Sequence, residues 1–265
     1  MSRYDTRTTT FSQEGRLFQV EYALEAINNA SSTMGIVTKE GVVLAADRLV
    51  STKLLDPGLS KEKIYVVDEH IAVAVAGWTA DANVLLNDAR LTAQRHRYRF
   101  DEPVSLESLV THLCDIKQSY TQFGGLRPFG VSFLFAGYTP SFGQTDTNCS
   151  NTASEYAEFP FQLILTDPAG NFSGWKATAV GQNSVTAQSI LKQEWRDDLT
   201  LQEGLELAAK ILTQITDAGN QTLEQTEFAI LYIKDGQVKQ RFLSQNEVSE
   251  LLKKAAASAK IVIKD

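Results

Sequence analysis

Cysteine, histidine and proline are all scarce in this chain of 265 residues, which holds 2, 3 and 6 of them. Cys114 and Cys149 cannot build a disulfide framework, and His70, His96 and His112 lie too far apart for zinc-ligand spacing, so neither a stapled scaffold nor a metal centre is expected. A low proline count beside 16 glycines and 43% apolar residues excludes collagen-like, low-complexity and disordered chains. Long hydrophobic runs are missing as well. The longest, such as Ile71 to Gly77, fall far short of a membrane span, and the first residues lack the apolar stretch of an export signal. The chain therefore reads as soluble and intracellular, in a reducing compartment, and the sequons at Asn29, Asn148, Asn171 and Asn220 carry no glycosylation meaning. Basic residues are outnumbered 25 to 32, for a net charge of −7. That balance disfavours a nucleic-acid partner held by phosphate contacts. Gly124-Gly125 leads into Leu126, Arg127 and Pro128 rather than into a helix carrying Lys-Ser/Thr, so it is no phosphate loop, and no Gly-x-Ser-x-Gly elbow occurs.

What is present is periodicity. Residues 1–11 are polar and Thr-rich, which reads as a mobile arm. From Ser12, a plausible N-cap, Leu17, Val20, Leu24 and Ile27 recur at helical steps, predicting an amphipathic helix over 13–29 with Glu14 and Glu21 toward its positive end. Two hairpins follow, Met34–Thr38 with Val42–Ala46 and Ile64–Val67 with Ile71–Ala76, read as a first sheet. Helical stripes then run from Ala82 to Ala93 and from Leu106 to Ile116. Phe129–Tyr138, Phe161–Thr166 and Trp175–Val180 imply a second sheet. Helices at 184–195 and 201–215, strands at 228–233 and 238–242, and a helix at 245–259 complete the chain. Strands cluster with strands and helices with helices, which favours antiparallel pairing. The predicted fold is α+β: a four-layer αββα sandwich of two mainly antiparallel sheets flanked by helices. One domain spans 12–260, with a short tail at 261–265, although the length alone would allow two. The stretch from Pro140 to Pro160, rich in Ser, Thr and Asn, reads as a mobile surface loop.

The run from Tyr4 to Ala23, YDTRTTTFSQEGRLFQVEYA, closely resembles the N-terminal motif of α-type subunits of the 20S proteasome core particle. Ser60–Ile64, Cys114–Gly125, Arg127–Ser132, Asp167–Asn171 and Gly174–Thr178 are similar to that family in the same order, and the middle blocks resemble one of its subtypes. The resemblance covers nearly the whole chain, and its implied fold is the Ntn-hydrolase-like sandwich that the element order predicts independently. Three departures stand out: Gln13 where the family usually has proline, a longer 140–160 loop, and the near absence of a Lys/Glu-rich tail. Gln13 leaves the turn after the arm freer than proline would.

Catalytic β subunits of the same fold attack with the hydroxyl of an N-terminal threonine whose own amine takes the proton. Aligned on Met34-Gly35, the nucleophile position falls on Ser31, the acid on Asp47 and the lysine on Lys63, while the supporting serine is replaced at Gln182. Ser31 follows 30 residues of chain, so its nitrogen is in a peptide bond. Losing that base forfeits roughly a hundred- to ten-thousand-fold in proton-transfer catalysis. A non-catalytic subunit is expected, with no cofactor and no metal. The rivals are an Ntn-type hydrolase processed before Ser31 or Thr33, and a freestanding peptide-binding module.

The resemblance implies a place in a heptameric α ring, contacts with other α subunits and the adjacent β ring, docking of a regulatory particle or other activators, and a cytoplasmic and nuclear location. It assigns Tyr4, Asp5 and Tyr22 to a gate over the axial pore and Lys63 to a pocket for the carboxylate of an activator tail. Read as a residue alone, Lys63 could equally be a solvated strand-edge charge or a partner of Glu62. The helix bearing Phe18 and Tyr22, with Phe11 before it, either packs against a ring neighbour or is buried on its own sheet.

Overall fold

A computed structural model describes residues 10–48, 54, 63–123, 125–139, 160–215 and 226–262. Tyr4 and Asp5, most of the arm and nearly all of the 140–160 loop lie outside the described residues. The described chain runs α1 (Phe18–Asn28), β1 (Thr33–Val37), β2 (Gly41–Asp47), β3 (Ile64–Asp68), β4 (Ile71–Gly77), α2 (Thr79–Phe100), α3 (Leu106–Gln122), β5 (Val131–Tyr138), β6 (Phe161–Thr166), β7 (Phe172–Gly174), β8 (Ala177–Val180), α4 (Ser184–Glu194), α5 (Leu201–Ile215), β9 (Thr226–Lys234), β10 (Gln237–Phe242) and α6 (Gln245–Val262).

Two five-stranded sheets, ordered β10-β9-β2-β1-β8 and β3-β4-β5-β6-β7, are antiparallel throughout. Alternation along each strand decides what each face meets. In β2, Val43 and Ala45 pack under α4, α5 and α6, while Val42, Leu44 and Ala46 face the other sheet. In β4, Ile71, Val73 and Val75 face α2 and α3, and Ala72 and Ala74 face inward. Both faces of these strands are buried, which explains apolar runs without a polar alternate. The inner layer uses small residues because the sheets approach closely: a Cβ at Gly35 would lie 2.7 Å from Leu163 Cδ1. The αββα sandwich is thus the observed fold, and no helix among the described residues is long and apolar enough to cross a membrane.

Several sequence expectations need correction. The two early hairpins do not share a sheet: β1–β2 lie in one and β3–β4 in the other. Local pattern specifies a hairpin but not its docking partner. The first helix begins at Phe18 rather than 13 because Ser12 closes a turn of its own. Its Oγ accepts from Arg16 N at 3.1 Å, and Gly15, at φ +76°, carries the chain through a left-handed step no helix contains. Glu14 consequently lies outside the helix. Glu21 does occupy the first turn, where its carboxylate accepts two bonds from the Arg16 guanidinium. The strand predicted from Trp175 starts at Ala177, as β8, and a short strand that the pattern missed, β7, precedes it in the other sheet. α6 runs on through Val262, into the stretch expected as tail.

Candidate functional site

Ser31 follows α1 closely and leads into β1, at the end of the sandwich where β2 finishes with Asp47 and β3 starts after Lys63. Gly181, at φ +100°, turns the chain out of β8 so closely that a Cβ would meet Ser31 O at 2.7 Å and Ala30 O at 2.8 Å. The turn lets Gln182 N donate to Ala30 O at 2.7 Å and the Ser32 hydroxyl donate to Gln182 O. Asp47 N donates to Ser32 O at 2.9 Å. Gln182 thus contributes its main chain, and its exposed side chain takes no part.

Lys63 turns inward. Its Nζ donates to Ser31 O at 2.7 Å and to Ser31 Oγ at 2.6 Å. This rules out the solvated strand-edge reading; Glu62 lies outside the described residues. Burial pushes the Lys63 ammonium down to about 8, against the attraction of Asp47 and Glu227. Burial also raises Asp47 above its usual range, opposed by Lys63 and by Arg48 N. The three positions aligned on the hydrolytic centre are therefore brought together: a serine hydroxyl and a lysine in contact, with a carboxylate in electrostatic reach. The α-nitrogen that would serve as base is the peptide nitrogen joining Ser31 to Ala30.

Glu227 was not legible as part of this cluster. It stands at the start of β9, where Oε2 accepts from Lys63 N at 2.8 Å and Ile64 N at 3.2 Å, and Oε1 accepts from Arg48 Nη1 at 2.5 Å. The expected strand began at 228, just past it. A glutamate opposite Ala46 in the ladder, inside the strand rather than before it, is the signal that a correct boundary would have exposed.

A second region surrounds α1. Val20 and Ile27 are buried, and the helix packs over β4 and β5. Phe11, Phe18 and Tyr22 stay 71%, 41% and 56% exposed, and Phe18 stacks on Tyr22 with centroids 6.3 Å apart. The helix thus covers its own sheet and also leaves an aromatic face outward. Beside it lies a cavity of about 320 Å³ lined by Tyr22, Ala23, Ala26, Trp78, Arg127 and Pro128, among others. The Arg127 guanidinium donates to both Asp81 oxygens at 2.6 and 2.8 Å and holds that carboxyl below its usual range. Asp81 Oδ2 also accepts from Gly130 N, which fixes the cavity floor. No cluster of metal-ligating side chains occurs among the described residues.

Comparison with known proteins identifies the family. The family profile for the N-terminal signature of A-type proteasome subunits matches residues 4–26, and the profile for proteasome subunits matches 27–158 and 153–231. The alpha type-4 proteasome subunit of Petunia hybrida is 48% identical over 253 residues, covering 96% of this chain and 95% of the relative. Type-4-A of Arabidopsis thaliana is 51% identical over 95% and 94% of the two chains, and type-4 of Spinacia oleracea 49% over 94% of each. The fold and these full-length matches agree: the chain belongs to the family of proteasome α subunits, and its relatives include the type-4 members.

Proposed function

We propose that this chain is a non-catalytic subunit of the α ring of the 20S core particle. It assembles with neighbouring α subunits and the adjacent β ring, gates entry of protein chains, and docks a regulatory particle or other activators. Through these roles it serves ubiquitin-dependent and ubiquitin-independent degradation in the cytoplasm and nucleus. The observation that carries the non-catalytic reading is the peptide bond at Ser31: the serine touches a lysine, but the free amine that activates an N-terminal nucleophile is absent. The exposed aromatic face of α1 supports ring packing, because aromatic residues left outward on a helix that already covers its own sheet suit a second partner. Tyr4, Asp5 and Tyr22 are the proposed gate residues, and Lys63 the proposed anchor for an activator tail.

The test uses assembled cores carrying this chain. Removing residues 1–10 raises basal peptide hydrolysis by neighbouring subunits, and an unaltered rate would deny the arm a gating role. A trimmed chain beginning at Ser31 or Thr33 that hydrolyses peptides alone would overturn the non-catalytic assignment.

A further inference from the structure

The turn between β3 and β4 buries two polar atoms that face each other without a hydrogen bond. Asp68 and His70 are each 6% exposed, and His70 Nδ1 lies 3.7 Å from Asp68 Oδ2, beyond hydrogen-bond reach. Neither atom has a hydrogen-bond partner among the described residues. The other atoms of the pair are engaged. His70 Nε2 lies 2.7 Å from Val104 O, and since a carbonyl only accepts, Nε2 carries the proton and Nδ1 keeps a lone pair whenever the ring is neutral. Asp68 Oδ1 accepts from Glu69 N at 2.9 Å. A neutral ring thus sets a lone pair against a carboxylate oxygen inside the protein, an unfavourable arrangement that buried polar groups rarely keep.

We propose that His70 and Asp68 form a proton-operated latch at this end of the sandwich. A proton at Nδ1 supplies a second N–H, which donates to Asp68 Oδ2 and gives both orphaned atoms a partner. A shift of roughly 1 Å brings the pair to ordinary N–H···O length. The charges facing the ring favour that state. Asp68 and Glu69 come from the turn itself, and Arg97, from α2, lies 3.5 Å from Asp68 Oδ1 and 3.7 Å from Glu69 Oε2. Two negative charges and one positive charge surround a neutral ring, and a charged ring balances them. From β10 comes the uncharged Gln240, whose neighbours Lys239 and Arg241 pair with Asp235 and Glu247. His96 on α2 pairs with Glu102 at 3.6 Å. From β5, Tyr138 N donates to His70 O at 3.1 Å. The latch also sits at a junction. Gln240 Nε2 donates to Asp68 O at 2.6 Å and Glu69 O at 3.1 Å, tying one sheet to the turn of the other, and Val104 leads directly into Ser105, the cap of α3. Histidine ordinarily changes charge between about pH 5 and 8. The latch closes on the acid side and opens on the other, so the turn and the α2–α3 connection open locally more often as pH rises.

The experiment follows amide hydrogen exchange of the full-length chain at pH 5.5 and 7.5, each corrected for the intrinsic exchange rate at that pH. In the wild type, segments 66–72 and 101–108 should be about tenfold better protected at pH 5.5, the effect of one hydrogen bond to a charged partner, while β1, remote from the turn, shows no such contrast. His70→Gln keeps a donor for Val104 O and carries no titrating charge, so its protection in these segments should not change between the two pH values. Asp68→Asn should also lose the contrast, because the introduced amide can donate to the neutral ring or, turned over, accept from the charged one. If a variant does not fold, the wild-type ring is read directly by NMR of the chain carrying nitrogen-15 histidine. The His70 ring should hold its proton on Nε2 alone at pH 7.5 and gain an Nδ1–H shielded from solvent exchange at pH 5.5. A wild type without the contrast, or a neutral ring protonated at Nδ1, would overturn the latch. A contrast that survives in His70→Gln would overturn it too, and would belong to His96 and Glu102 instead.

Discussion

Lys117 offers the sharpest test of the energetics. It points from α3 into the core with no exposed surface, and its Nζ donates to Val131 O at 3.1 Å and Thr166 Oγ1 at 2.9 Å. The ammonium also stands 4.7 Å from the centroid of the Phe133 ring. No carboxylate contacts it among the described residues. Burial accordingly pushes it from 10.5 down to about 8, with Cys114 and Asp167 pulling weakly upward. In the unfolded chain the lysine holds its proton to about pH 10.4, so between pH 8 and that value the unfolded state binds more protons than the folded one. Stability attributable to Lys117 therefore rises with pH across the window. The full span is about 3 kcal/mol, and the slope is at most about 1.4 kcal/mol per pH unit.

Other groups titrate nearby. Lys63 acts in the same direction. Cys114, pushed up to about 11 by burial, acts in the opposite one, because above pH 9 the unfolded thiol loses a proton that the folded one keeps. The informative quantity is thus the difference between wild type and Lys117→Met in urea unfolding of the full chain at pH 7, 8, 9 and 10. The two curves should run parallel up to pH 8, after which the wild type gains on the variant. Parallel profiles through pH 10 would mean that the ammonium is not held at a penalty, and the account of this core would be wrong.

Gly181→Ala should lower stability by about 2 kcal/mol or more, because the new Cβ meets Ser31 O and Ala30 O inside van der Waals contact at a positive φ. A thermal midpoint equal to wild type would show that the turn is not fixed as described. Cys114 should resist iodoacetamide at pH 8 in the folded chain and react once unfolded, since the thiol is buried and its pKa raised. Mass analysis of the peptide carrying Cys114 decides this, and rapid native labelling would contradict the burial.

Much of the fold was legible because strands buried on both faces leave short apolar runs, and helices on a sheet leave three- and four-residue stripes. Ile71 to Gly77 and Leu106 to Ile116 show the two patterns in their plain forms. Sheet membership was not legible, because β2 and β4 carry similar runs and only tertiary docking separates them. Ser12 misled for a physical reason: a serine oxygen satisfies a free N–H equally well in a turn or at a helix start. At the site, alignment located Ser31, Asp47 and Lys63. The inward turn of Lys63 was illegible, since its Nζ meets Ser31, 32 positions away in sequence, and its backbone N is held by Glu227, 164 positions away.

Lys63 and Lys117 have nearly the same lowered pKa, about 8 in both, so burial by itself does not separate a working lysine from a structural one. The donors do. Lys117 directs its ammonium at a carbonyl, a hydroxyl and an aromatic face, which uses its capacity and leaves it no route to a ligand. Lys63 spends two N–H groups on Ser31, and among the described residues no acceptor takes the third, on a residue with part of its surface open. Holding a charge against its desolvation while leaving part of it unpaired is unfavourable for the isolated chain, and a docked anion would relieve it. That asymmetry between two lysines of one fold supports reading Lys63, and not Lys117, as a residue that waits for a partner.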